Sequence, residues 1–224
     1  MSKHKDGSKP KKDMAHQLGL NLSGESSPEN IPLFDADACR ACQACGLAQG
    51  VRTKVVIGSG SYAAPMLLIG EAPGQEEDKF GKPFVGSSGV LLKGLMTKAG
   101  FDTRCDCFIT NMVKCRPPNN RNPRVEEIAA CRHWLEREIY TVGPRVILTA
   151  GAVSTGFLLG LGKGFKITKL RGSWQFYKEI PVMPILHPAY LLRNETKNGL
   201  SPMSKLTIKD LEKARKLALD TTDH

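Results

Sequence analysis

The chain contains no apolar run long enough to cross a membrane. Its longest runs, such as Met66 to Ile69 and Val146 to Leu148, fall far short of the ~20 residues a spanning helix needs. The N-terminus is polar and lacks the apolar core of a secretory signal, so the expected location is cytoplasmic. An even cysteine count is also missing. Seven cysteines cannot complete a disulfide framework, and in a chain with no export signal clustered cysteines point to metal or redox chemistry first. A zinc ribbon would want a second close C-x2-C pair beyond the N-terminal cluster, and none is present. Neither H-x-E nor P-C-x-x-C occurs, which excludes a zinc nucleobase deaminase.

What remains is a basic chain of globular composition. Its 224 residues are 41% apolar, enough for one sizeable core. Lys and Arg number 32 against 22 Asp and Glu, a net charge of +10, and such an excess points to a polyanionic partner, nucleic acid first. Residues 1–30 are expected to form a disordered basic tail. Lys3, Lys5, Lys9, Lys11 and Lys12 outweigh Asp6 and Asp13, and the following Ser23 to Pro28 stretch has no apolar periodicity. Residues 31–224 are expected to form a single domain, and a monomer.

Within that domain, apolar runs alternate with helical patterns. Candidate strands are Thr53 to Ile57, Met66 to Ile69, Cys107 to Thr110, Val146 to Thr149 and Val182 to Leu186. Several are continuously apolar, as in strands covered on both faces. Candidate helices are Ser88 to Lys98, with Val90, Leu91, Leu92 and Leu95 as its apolar stripe, Arg124 to Tyr140, opened by Asn122 and Pro123, Ala152 to Leu159, and Ser204 to Leu219. The alternation predicts an α/β fold with a mostly parallel sheet between helical layers. Gly70 to Gly74, Asn111, Thr149 to Gly151 and His187-Pro188 follow the carboxyl ends of four of those strands. Ligands bind at that edge of open α/β sheets, so a pocket is expected there.

Two sets of residues carry candidate chemistry. Cys39, Cys42 and Cys45 form C-x2-C-x2-C, and Cys115 and Cys131 follow with fifteen residues between them. Thiolates so distributed suit a [4Fe–4S] cluster, with zinc or reduced core cysteines as alternatives. Cys105 and Cys107 read as surface or packing thiols. The second set is Gly70-Glu71-Ala72-Pro73-Gly74-Gln75-Glu76-Glu77-Asp78, which matches neither a P-loop nor a dinucleotide fingerprint. With four carboxylates in nine residues, it is no plain anion cradle.

The order of the motifs is more specific than any one of them. Gly70-Glu71-Ala72-Pro73-Gly74, then Gly81-Lys82-Pro83-Phe84-Val85-Gly86, then Thr110-Asn111-Met112-Val113-Lys114-Cys115-Arg116-Pro117-Pro118, then His187-Pro188-Ala189-Tyr190-Leu191-Leu192-Arg193-Asn194 together resemble the family 4, iron–sulfur uracil-DNA glycosylases. The resemblance spans roughly residues 39 to 220. It implies a three-layer α/β/α sandwich, a [4Fe–4S] cluster, and hydrolysis of the N-glycosidic bond of uracil in DNA to initiate base excision repair. It also implies ligands Cys42, Cys45, Cys115 and Cys131, with Cys39 outside the pattern. The implied uracil pocket is formed by Gly70, Phe84 and Asn111, with Glu71 at the acidic position and His187 at the pocket edge. A sister group with a Lys-Arg-rich insertion and a sugar-trapping histidine is not matched, so turnover and not covalent capture is implied.

These residue types suit that reaction. A carboxamide at Asn111 accepts from the uracil N3–H and donates to O4, whereas cytosine presents the reverse. Phe84 offers a stacking face. His187 is the candidate donor to the anion developing on the base, and Glu71 the candidate carboxylate near the sugar or the attacking water. Glu77 is a second candidate, shaping the pocket near C5 against thymine. Arg116, Arg121, Arg124 and Arg193 are candidate phosphate contacts, and Leu191 belongs to the segment expected to hold the duplex gap open. No lysine in the matched motifs is a Schiff-base candidate, so a monofunctional enzyme is expected. The alternative is a non-catalytic iron–sulfur DNA-binding or redox-sensing protein on the same scaffold.

Overall fold

Four short apolar segments form the centre of the molecule because their side chains find cover on both sides. In the computed structural model, which describes residues 31–162, 164–196 and 199–220, these are β1 (Met66–Gly70), β2 (Cys107–Asn111), β3 (Val146–Ala150) and β5 (Ile180–Ile185). The first three are buried along their whole length. With the edge strand β4 (Gln175–Tyr177) they make one sheet in the order β2-β1-β3-β5-β4. The pairings β1–β2, β1–β3 and β3–β5 are parallel, and β4 lies antiparallel to β5.

The two-residue period of a strand sorts the core into two. Met66, Leu68, Cys107, Ile109, Val146, Leu148, Met183 and Ile185 face one side. There they meet α3 (Ser87–Lys98), α7 (Pro188–Asn194) and α8 (Pro202–Leu219) through Leu92, Leu95, Leu191, Leu211 and Ala214. Leu67, Ile69, Phe108, Ile147 and Val182 face the other, against α4 (Val125–Val142) through Ile128, Trp134, Leu135 and Ile139. The short helices α1 (Ala36–Arg40), α2 (Gln75–Phe80), α5 (Ala152–Leu158) and α6 (Ile167–Leu170), with 3-10 turns at Gly46–Gln49 and Pro118–Asn120, complete the described elements. The architecture is the three-layer α/β/α sandwich expected from the sequence.

Several expectations are corrected. Thr53 to Ile57 is not a strand. Only isolated pairings tie this region to the β2 edge, from the Val56 amide to the Lys114 carbonyl and between Ser59 and Ile109. Helix α4 begins at Val125, one residue past the expected start, and its cap is Arg124 and not Asn122, because the Glu127 carboxylate accepts the Arg124 amide at 2.7 Å. On α3 the buried stripe is Leu92, Leu95 and Met96, while Val90 is exposed. Strand β4 and helices α1, α2, α6 and α7 were not foreseen. The expected tail, residues 1–30, lies outside the described residues.

Candidate functional site

Chain reversal places the site. From β1 the chain crosses to β2 on one side, then returns past β1 to β3 on the other, so the loops after β1 and β3 diverge and open a crevice at the carboxyl edge of the sheet. A cavity of about 490 Å³ occupies that edge. Glu71, Glu77, Phe84, Asn111, Arg121, His187 and Arg193 all line it, drawing on segments far apart in the chain.

Gly70 and Asn111 are register partners at the ends of β1 and β2. A Cβ on Gly70 would overlap both the Asn111 Oδ1 and the Phe84 ring, so the missing side chain is what lets a carboxamide and an aromatic face meet at one point. Phe84 itself sits at φ 54°, the left-handed region that a bulky side chain rarely enters, and Gly89 makes room for its backbone. The Asn111 carboxamide makes no hydrogen bond to the described residues and is free to bind a ligand. Glu71 is half-buried beside it, and burial raises its carboxyl above the ordinary range.

His187 caps the N-terminus of α7, and its Nδ1 accepts from the Ala189 amide at 3.2 Å. That acceptance fixes the tautomer, since a neutral imidazole with Nδ1 as acceptor carries its proton on Nε2. Burial, reinforced by the Arg193 guanidinium, lowers the His187 pKa and favours this neutral donor form. Gly151, at φ 94°, follows β3, and a Cβ there would meet the His187 ring at 2.8 Å.

Glu77 acts as a clamp. Its carboxylate accepts from the amides of Gly74 at 3.1 Å, Val85 at 2.9 Å and Gly86 at 2.7 Å, tying the Gly70–Gly74 loop to the Phe84 loop. The neighbouring Asp78 is 2% exposed and accepts from the amides of Thr53 and Lys54. It fastens α2 to the segment leading away from the cysteines. Arg121 is held in a two-pronged ion pair with Glu127, at 2.6 and 2.9 Å. Arg116 donates to Asn120, and Arg124 and Arg193 are exposed. Leu191 is placed otherwise than expected. On α7 it shares a face with Pro188, three residues earlier, and is fully buried against the sheet. The apolar side chains that this helix leaves outside are Tyr190 and Leu192.

A second, smaller cavity lies on the α4 side of the sheet. Cys39, Cys42, Cys45, Cys115 and Cys131 all line it, together with Arg52, Lys114 and Trp134. All five thiols are free. Among the described residues no set of three His, Cys, Asp or Glu closes on a point as for a single ion; the sulfurs surround a space instead. Two observations fit an iron–sulfur cluster there. The donors are all sulfur, and the buried Trp134 Nε1–H finds no acceptor among the described residues, a donor that a cluster sulfur would satisfy. Burial pushes the Cys39 and Cys131 thiols up to about 12, so a metal bound at Cys131 would itself have to stabilise the thiolate. Arg52 reinforces the site, donating to Cys115 Sγ at 3.1 Å and to the Cys42 carbonyl at 3.0 Å. Of the two remaining thiols, Cys107 is core and Cys105 is exposed.

A parallel α/β sandwich with an acid, a carboxamide, a neutral histidine and an aromatic ring at its carboxyl edge defines a pocket for a small planar polar group. Residues 57–212 match the Uracil DNA glycosylase superfamily, and the chain belongs to that superfamily. It is 43% identical over 190 residues to the type-4 uracil-DNA glycosylase of Thermotoga maritima, covering 84% of this chain and 94% of that one. It is also 42% identical over 193 residues to the type-4 uracil-DNA glycosylase of Saccharolobus solfataricus, covering 84% and 86%. A similar relative from Sulfurisphaera tokodaii is 42% identical over 185 residues, covering 80% and 81%.

Proposed function

We propose that the protein is a uracil-DNA glycosylase of the type-4 class, hydrolysing the N-glycosidic bond of uracil in DNA to leave an abasic site and so initiating base excision repair. The observation that carries this reading is the convergence of Glu71, Phe84, Asn111 and His187 on one cavity. A protein that merely bound DNA would have no need of all four around a base-sized space.

The target base must leave the duplex to enter this cavity. The Phe84 ring then supplies a stacking face. The Asn111 carboxamide accepts from N3–H and donates to O4, and a base with the opposite pattern leaves it mispaired at a cost of ~1–3 kcal/mol. As the glycosidic bond lengthens, positive charge builds on the sugar and negative charge on the ring. The His187 Nε2–H donates to the developing anion at O2. Glu71 stabilises the cationic sugar and orients the attacking water. Glu77 holds the two loops that form the cavity wall near C5. No lysine lines the cavity among the described residues, so water and not an enzyme amine is the nucleophile and the enzyme is monofunctional.

Tyr190 and Leu192 stand where an apolar side chain can occupy the vacated stack, and Arg193, with Arg116 and Arg124, is available to phosphate. Cys42, Cys45, Cys115 and Cys131 would hold a [4Fe–4S] cluster, which would stiffen the segments carrying Arg52 and Arg116 and take no part in the hydrolysis. The protein acts as a monomer on single- or double-stranded DNA. Incubating it with uracil-containing oligonucleotides and scoring abasic sites tests the reading, and absence of excision from both strand forms overturns it. A visible absorbance band with bound iron and sulfide is the separate test of the cluster.

A further inference from the structure

Lys114 has no part in the chemistry above, yet it is 1% exposed. Its ammonium directs three bonds inward, to Thr110 Oγ1 at 2.7 Å, to the Asn111 carbonyl at 2.8 Å and to Glu138 Oε2 at 2.6 Å. Glu138, on α4, is fully buried. It also accepts the Thr110 hydroxyl at 2.6 Å and the Gly58 amide at 2.8 Å. Thr110 and Asn111 are the last two residues of β2, and the second presents the base-reading carboxamide.

A buried ion pair is an expensive way to fill space, because apolar side chains of similar volume often serve stability as well or better. What the pair supplies here is position. At the strand end the Met112 amide bonds the Gly70 carbonyl and the Val113 amide the Glu71 carbonyl, while the Asn111 carbonyl is taken by the Lys114 ammonium. The ammonium grips the Asn111 peptide from behind, on the side of the cysteine cavity that Lys114 also lines. A reading group must be held within about half an ångström and 10–20° to discriminate.

We propose that Lys114, held by Glu138 and Thr110, is the positioning residue for base recognition, fixing the Asn111 peptide and through it the carboxamide that separates uracil from cytosine. This rests on the function proposed above. The test compares the whole protein with Lys114→Met, with the doubly neutral Lys114→Met/Glu138→Gln, which leaves no buried carboxylate unpaired, and with Thr110→Val, which keeps both charges. The probes are free uracil and free cytosine as inhibitors, single-turnover excision of a uracil oligonucleotide, and affinity for the same oligonucleotide without uracil. In the folded Lys114 variants the preference for uracil over cytosine as inhibitor should collapse at least tenfold. Single-turnover excision should slow by a similar factor, with affinity for uracil-free DNA and bound iron unchanged, and Thr110→Val should show a smaller effect in the same direction. A wild-type uracil-to-cytosine ratio in the folded variants overturns the proposal, as does loss of iron and DNA affinity with the ratio intact. If Lys114→Met does not fold, the double variant and Thr110→Val decide the matter by the same ratio. If the wild-type protein excises no uracil, it is the functional reading that fails; if it excises and the ratio is insensitive to these changes, only the positioning role does.

Discussion

Glu71 and His187 show how single side chains are tuned by what surrounds them. Glu71 is raised by burial from its ordinary 4.5, so ionising it costs stability in the folded state as pH rises through that raised value. Glu71→Gln is therefore expected to raise the melting temperature at pH 7 while slowing excision at least ~100-fold. The stability gain should vanish below pH 4.5, where both folded and unfolded forms are neutral. Parallel melting and excision profiles across pH check both halves. His187 has the opposite arrangement, a base whose pKa is lowered by burial. Its stability contribution is present above about pH 6.5 and lost as pH falls through the lowered value, when protonation of Nδ1 removes the acceptor of the Ala189 amide. Gly151→Ala should disturb the same histidine by contact, since the new Cβ meets its ring and φ is 94°. The expected outcome is excision lowered together with melting temperature. Asn111→Ala, with its ~1–3 kcal/mol of lost pairing, should slow excision about tenfold or more in single-turnover assays.

Among the elements, the strands were legible and the polar attachments were not. β1, β2, β3 and β5 announce themselves because a strand covered on both faces must be apolar throughout. β4 does not, since Gln175–Tyr177 is a half-exposed edge. Thr53 to Ile57 has the β-branched composition of a strand, but its polar bonds go to Asp78 and a lone carbonyl instead of a ladder. α7 is absent from the helices expected of the sequence, although Pro188 at its first position is favourable there; the i, i+3 pairing of Pro188 and Leu191 then turns inward a leucine expected at the DNA. The cavity residues were found because four motifs end four chain segments at one edge. Lys114 and Glu138 were missed because charged residues in a loop and a helix read as surface. The staple through Asp78 carries its own prediction. Asp78→Ala frees two amides and a hydroxyl that now bond a carboxylate, so unfolding free energy should fall by about 3 kcal/mol, measured by denaturant titration, with a loss of excision if the α2 loops loosen with it.

Across the whole molecule, the positive charge divides into free and committed parts. Arg193 is exposed at the cavity mouth, whereas Arg121 is neutralised by its paired contact with Glu127. Both are arginines beside the same cavity, yet they should differ in salt dependence. Arg193→Ala is expected to lower the slope of log affinity against log salt by about one unit for uracil-free DNA. Arg121→Ala should change that slope much less while destabilising the start of α4. Fluorescence anisotropy at several salt concentrations distinguishes the two.

Phe84 has a consequence for anyone evolving this protein towards greater heat resistance. A phenylalanine at φ 54° stores on the order of 1–3 kcal/mol of backbone strain, and glycine would release it. The ring also belongs to the hydrophobic core, and truncating a core aromatic costs ~3–5 kcal/mol, more than the strain returns, so selection on thermal endurance alone should keep Phe84 and leave the strained turn, with its stacking surface, in place.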